Sequence, residues 1–282
     1  MSITAKEVNE LRQLTGSGMM DCKKALVEAN GDIQAAIDYL RKKGAKVAEL
    51  RAGRESNEGA VIALTSADGK EGVVVRITCE TDFVAKNEAF VAFTRSIAEH
   101  ALANKFDSSE ALLASTLEGS TVHEMILGKV SSIGEMITLG TYARMTGEDI
   151  VAYIHGNNRM GVLVALNQAK SEKIDAIGKD VAMQIAAMNP VAIDENSVSP
   201  EVVEREKAII VEQMKLDPKM VGKPDEMIGK IADGKMSAFF KENTLLNQAF
   251  VKDTSKSVAQ VLKETSADLT VTQFRRVTLG SN

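Results

Sequence analysis

The chain has 282 residues, 44% hydrophobic and 26% charged, enough to bury the cores of two domains or more. A formal charge of -5 lacks the basic surplus of a protein that grips nucleic acid, and with 4% aromatics and no tryptophan the cores must rest on Ile, Leu, Val, Ala and Met. Two cysteines, Cys22 and Cys79, are too few for a disulfide framework and point to a reducing cytoplasm; no apolar run approaches ~18 residues, and "MSITAKEVNE" has no apolar core for a signal peptide, so no membrane anchor is expected.

Residues 1–45 predict three short helices. Thr4 and Glu7 form a capping box, and Val8, Leu11 and Leu14 make one apolar stripe. "TGSG" breaks that pattern. A second helix carries Met20, Leu26 and Ala29 and stops at Asn30-Gly31. Asp32 caps a third, with Ile33, Ile37 and Leu40 inward. So small a unit has a marginal core and suits docking. Met19 and Met20 are adjacent, so a helix can bury only one fully; the other is half-exposed surface or an adaptable contact. Residues 46–58 read as a charged helical linker.

From Gly59 the apolar period changes to two. "GAVIALTSADGKEGVVVRITC" is a hairpin turning at Ala67-Asp68-Gly69. Asn87 then caps a helix with Phe90, Phe93, Ile97 and Ala101 on one face. The pattern recurs in "IVAYIHGNNRMGVLVALN", a second hairpin, and "SEKIDAIGKDVAMQIAAMNP", a helix with Ile174, Ile177, Val181 and Ile185 inward. Between the copies, Thr121 and Glu124 box a helix with Val122, Met125 and Ile126, and a strand follows near 136–144. Ser199-Pro200 opens a helix with Val203, Ile210 and Met214. "LDPKMVGKP" is a turn, and a second helix carries Met227, Ile231, Phe239 and Phe240, making an antiparallel hairpin whose apolar positions exceed what one pair needs. A short helix near 258–262 and a strand, "LTVTQFRRVTL", close the chain. The class is α+β: a three-helix module at 1–45, a linker at 46–58, and a duplicated hairpin-plus-helix sheet core at 59–147 and 148–282, with a helical hairpin inserted at 199–243.

Signals for bond chemistry are weak. "GSGMMDCKK" superficially resembles a phosphate cradle, but no G-x-x-x-x-G-K-[ST] exists and the glycines do not follow a strand, so an interhelical turn is the plainer reading. Cys22 beside Lys23 reads as a semi-buried thiol rather than a nucleophile, and Cys79 alternates with Val73, Val75 and Ile77 as core. Glu80 and Asp82 alone make a poor cation site. His100, on a helix surface, His123 and His155 lack metal-ligand spacing, and no nucleophile motif is present. No catalytic residue, metal or cofactor is expected. His155, at a hairpin tip, is either a partner contact or a solvated turn.

One stretch does not fit a merely structural account. "TDFVAK" separates the first hairpin from its helix, whereas the second copy makes the same passage with a shorter polar connection. Phe83 either folds back onto the hairpin-helix core or stands out as an apolar knob for a partner's pocket.

"ELRQLTGSGMMDCKKAL", "NGDIQAAI", "TDFVAKNEAFVAF", "HGNNRMGVLVAL" and "VAMQIAAMNP" come in the order found in bacterial translation elongation factor Ts, and the chain resembles that family over nearly its whole length. The resemblance implies an exchange factor, not an enzyme, whose partner is elongation factor Tu, GDP-bound and nucleotide-free. It implies that the first module is ubiquitin-associated-like and docks through Arg12, Met19, Met20 and Lys23. Thr81, Asp82, Phe83 and Val84 would enter the partner's nucleotide domain and disturb its magnesium site; Ile133-Gly134 and His155 would be further contacts. The helical hairpin would be the family's dimerisation or coiled-coil module. Many members continue into a C-terminal helical extension; this sequence runs to "LGSN", and no contact of that extension is expected. The competing class is a protein-binding adaptor with no effect on nucleotide. A hydrolase lacks any motif.

Overall fold

The first strand-turn-strand unit shows how the core is built. The computed structural model describes residues 3–216 and 225–280, so the turn expected within "LDPKMVGKP" lies, at 217–224, outside the described residues. Strand β1 (Glu58–Thr65) pairs antiparallel with β2 (Glu71–Cys79) around the expected turn, with Ile62 opposite Val75. Their side chains alternate between two cores. Ala60, Ile62, Val75, Ile77 and Cys79 face one; Val61, Ala63 and Val74 face another.

After β2 comes a single helical turn, α4 (Asp82–Ala85), then α5 (Glu88–Asn104), capped by Asn87. Phe90, Phe93, Ile97 and Ala101 of α5 are buried against the sheet. A short helix α6 (Ser109–Ala114) and a two-residue ladder, β3 (Thr116–Leu117) with β4 (Ser120–Thr121), lead to α7 (Val122–Ile133). Sequence patterning missed these small pieces, which are too short to show a period. The strand expected near 136–144 is β5 (Thr138–Thr146), which pairs with β2 and completes the sheet order β1-β2-β5.

The second half repeats this plan. Strands β6 (Asp149–His155) and β7 (Met160–Leu166) form the hairpin, and α8 (Glu172–Met188) packs on it. The final strand, β10 (Val271–Thr278), returns to β7, giving the order β10-β7-β6. In each half the hairpin's second strand is central and the last strand joins its far side. The two sheets face each other across Val61, Val74, Ile150, Leu163 and Val277, so the core is layered helix, sheet, sheet, helix.

Before β10 the second half carries α9 (Pro200–Leu216) and α10 (Asp225–Asn243), which pack as an antiparallel pair around Met214, Ile228 and Ala232. Of the apolar positions expected on α10, Ile231 packs on this core and Met227 is exposed, while Ile228, Ala232 and Met236 at i, i+4 and i+8 are buried. The ladder β8 (Ala249–Phe250) with β9 (Asp253–Ser257) and helix α11 (Val258–Thr265) complete the fold. The α+β expectation holds.

The three N-terminal helices are α1 (Ala5–Thr15), α2 (Met19–Glu28) and α3 (Ile33–Arg51), with the expected capping box at Thr4 and the cap at Asp32. Val8, Leu11, Cys22, Leu26 and Leu40 form their core. Leu14, in the last turn of α1, does not join it and is 63% exposed. Residues 46–51 continue α3, which lies along α7. The approach is close at Gly44, where a Cβ would fall 2.1 Å from the Leu127 carbonyl oxygen. Arg41 donates to Ser120 Oγ and to Glu124.

Candidate functional site

The Phe83 turn is assembled from the backbone outward. Thr81 is the N-cap of α4, its hydroxyl accepting from the Val84 N–H at 3.4 Å and donating to Glu135 Oε1 at 2.6 Å. The Cys79 thiol donates to the Thr81 carbonyl at 3.2 Å; burial, with the Glu135 charge nearby, pushes this thiol up to about 12, so it stays a donor. Ala85 is buried and Val84 half-buried against the first core. Those two side chains take the inner face of the single turn, and Phe83 is left 84% exposed. The ring therefore does not fold back on its own core. The helical start expected only at Asn87 is preceded by this capped turn.

Asp82 is half-buried and pairs with Lys86 at 2.6 Å; that hydrogen bond, helped by the lysine charge, holds its carboxyl below the usual carboxylate range. Glu80, a poor cation ligand by its sequence setting, is fully engaged by protein donors. Arg51 donates to both its oxygens at 2.7 and 2.8 Å, and the Met136 N–H donates at 2.7 Å. Burial alone would raise the Glu80 carboxyl; the Met136 N–H and Arg51 outweigh it and the net shift is downward. Among the described residues no group of three or more His, Cys, Asp or Glu could hold a metal ion.

Ile133 and Gly134 stand beside the turn. Ile133 ends α7 and is 38% exposed, and Gly134 caps the helix in the left-handed conformation, φ 79°. The next residue, Glu135, accepts from the Glu80 and Thr81 N–H groups at 3.1 Å each. His155 is exposed at the end of β6, with Nδ1 2.8 Å from the Tyr153 hydroxyl. Its hairpin tip is tied to β1, since Val61 N–H donates to the Asn158 carbonyl at 2.7 Å and Arg159 pairs with Glu58 at 2.7 Å. A cleft of about 160 Å³ is shared by Asp82, Ala85 and Lys86 with Gly156, Asn157 and Arg159. Three of the stretches singled out in sequence thus lie together: 81–84, 133–134 and the tip after His155.

Arg12, Met19, Met20 and Lys23 form a separate patch on α1 and α2, and all four are exposed. Met19 is 59% and Met20 76% exposed, so neither is the buried member of the pair; Cys22, Ala25 and Leu26 fill the inner face of α2 instead. Leu14, which the sequence places in the apolar stripe of α1, and Val27 are exposed as well. Four large apolar side chains, Leu14, Met19, Met20 and Val27, are thus exposed on this small module.

Other candidates are structural. Cys22 is fully buried, and burial raises its thiol. His100 is not a plain surface residue: it is half-buried, with Nε2 2.9 Å from Ser115 Oγ and its ring against Phe106. Glu135 and Arg51 are the participants that sequence reading missed, and Glu80 was read there only as a poor cation ligand, since their contacts span 29 to 56 positions.

Comparison with known proteins decides the family. A model described as "Elongation factor TS" matches residues 80–281, opening on Glu80 and the Phe83 turn. A protein of Amoebophilus asiaticus named elongation factor Ts is 50% identical over 281 residues, covering all of both chains. One of Cytophaga hutchinsonii with the same name is 48% identical over 99% of each chain.

The chain belongs to the elongation factor Ts family.

A more distant relative, the elongation factor Ts of Clostridium perfringens, is still 43% identical over 99% of this chain and 93% of its own. The elongation factor Ts family is one of nucleotide exchange factors, and membership disfavours the adaptor reading. No helix of the described residues is long and apolar enough to cross a membrane.

Proposed function

We propose that the protein is the cytoplasmic guanine-nucleotide exchange factor for elongation factor Tu, with Phe83 as the exchange element. The single observation that carries this reading is a phenylalanine 84% exposed on a turn fixed at both ends. An exposed ring costs about 2 kcal/mol or more of unrealised burial, which is recovered only in a partner's pocket. Thr81, Asp82 and Val84 shape the turn. Ile133, Gly134 and His155 flank it as further contacts, and Arg12, Met19, Met20 and Lys23 dock the module at 1–45, which the linker at 46–58 joins to the two core subdomains, 59–147 and 148–282.

The mechanism is linkage and involves no bond chemistry. A factor that binds the nucleotide-free partner better than the GDP-bound partner weakens GDP by the same factor. Magnesium carries the largest local charge in such a nucleotide site, so a wedge that displaces its ligands removes stabilisation from the phosphates. No cofactor of the factor's own is required. The helical hairpin at 199–243 has exposed Ile209, Leu216 and Met227, the face we assign to self-association.

The test is release of labelled GDP from purified elongation factor Tu with and without this protein. Acceleration at catalytic amounts of factor is expected; binding without acceleration would return the adaptor reading.

A further inference from the structure

A four-residue helix cannot hold its own geometry, because nucleation fixes several residues for one hydrogen bond. The Thr81 cap on Val84, at 3.4 Å, is long. What fixes the turn comes from elsewhere. Glu135 accepts three hydrogen bonds, from the N–H of Glu80, the N–H of Thr81 and the Thr81 hydroxyl, and is the residue after Gly134. Glu80 returns the contact by accepting from the Met136 N–H, so the segments 80–81 and 135–136 clasp each other reciprocally. Arg51 closes the clasp from the far end of α3, whose first turns belong to the helical module that bears Met19 and Met20.

From this arrangement we propose that Glu135 is a positioning residue for nucleotide exchange, orienting the Phe83 ring while Arg51 and Glu80 register it against the docking module. The inference rests on the reading of Phe83 as the exchange element. Each carboxylate accepts charge-assisted hydrogen bonds, the kind with the strictest geometry. The path from α3 through Arg51 and Glu80 to Thr81 is a chain of direct contacts. Docking through α1 and α2 therefore delivers the ring at a set place and angle, and loosening the clasp leaves docking intact while the wedge arrives misaligned.

The experiment uses full-length Glu135→Ala and Glu135→Gln, alone and combined with Phe83→Ala, in stopped-flow release of a fluorescent GDP analogue from elongation factor Tu over a range of factor concentrations. Glu135→Ala is expected to lower the maximal release rate about tenfold, as for a misplaced reacting group. The half-saturating concentration should stay within about twofold, because docking residues are untouched. Glu135→Gln keeps one acceptor oxygen and should fall between. In the Phe83→Ala background, Glu135→Ala should cause little further loss, because a residue that acts through another is not additive with it. A full tenfold loss retained in that background overturns the proposal, as does an unmutated rate in a folded Glu135→Ala. Should Glu135→Ala fail to fold, Glu135→Gln supplies the same cycle. A normal Phe83→Ala defect beside unaffected Glu135 variants sinks the clasp alone. An unimpaired Phe83→Ala sinks the reading of the ring and the clasp with it.

Discussion

The two halves of the core pass from their central strand to their main helix by different routes. In the second half five residues, 167–171, suffice between β7 and α8, and they serve the fold. Asn167 donates to the Asp268 carbonyl and accepts from the Thr270 N–H, both at 2.8 Å, and Ser171 caps the helix. In the first half eight residues, 80–87, lie between β2 and α5, and they include a helical turn with an exposed aromatic ring. The sheet orders match, so the fold itself asks only for the shorter route. The difference separates what the scaffold needs from what was added to it.

The largest effect should come from removing that difference. Replacing 80–87 with "NQAKS", the sequence of 167–171, should leave a folded chain of lower Tm, since the packing of Val84 and Ala85 is lost. GDP release from elongation factor Tu should drop to the partner's unaided rate. Retained acceleration in the swapped protein would show that the first connection is as structural as the second.

How far each region was legible follows from the range of its contacts. Two capping boxes, Thr4 with Glu7 and Thr121 with Glu124, and both hairpins announce themselves because their partners lie within a few residues. The stretch 46–58 reads as a charged helical linker from its composition, whereas in the fold 46–51 continue α3, which packs closely on α7 at Gly44. The exposure of Phe83 and Met20 was an open alternative in sequence; burial of Ala85 and Cys22 beside them decides it. Glu135 gave no local signal at all, since the backbone it holds lies 54 residues away in sequence.

A second prediction contrasts the Phe83 turn with the docking patch. The double variant Met19→Ala/Met20→Ala removes two exposed side chains, so its Tm should be unchanged. The half-saturating concentration for GDP release should rise about tenfold, as for truncated apolar anchors. The maximal rate at saturation should hold. A lowered maximal rate with unchanged half-saturation would assign these methionines to the exchange step instead.

The smallest effect concerns the joint between the halves. Asp149, the first residue of β6, is fully buried beside the Gly69 turn, and the Ile150 N–H donates to the Gly69 carbonyl at 2.6 Å. Burial raises the Asp149 carboxyl above its usual value of 3.8, and the Asp175 charge adds to the shift. A raised carboxylate pKa favours the folded state fully below the unfolded value and loses that favour as pH climbs through the folded value. Asp149→Asn should therefore unfold at a higher Tm than the parent at pH 7, by a few degrees. The gap should close as pH falls toward 3.8. A gap that is constant with pH, or a lower Tm at pH 7, would show that the ionised carboxylate is not the cost.

The central claim is that the added turn acts through its ring, and Phe83→Ala tests it most directly. The substitution keeps Thr81, Glu135 and the Asn87 cap, so circular dichroism and Tm should match the parent. At saturating factor, stopped-flow release of a fluorescent GDP analogue from elongation factor Tu should slow roughly thirtyfold, the equivalent of about 2 kcal/mol of contact made only in the displaced state. A folded Phe83→Ala protein that binds and releases GDP at the parent's rate would contradict the account.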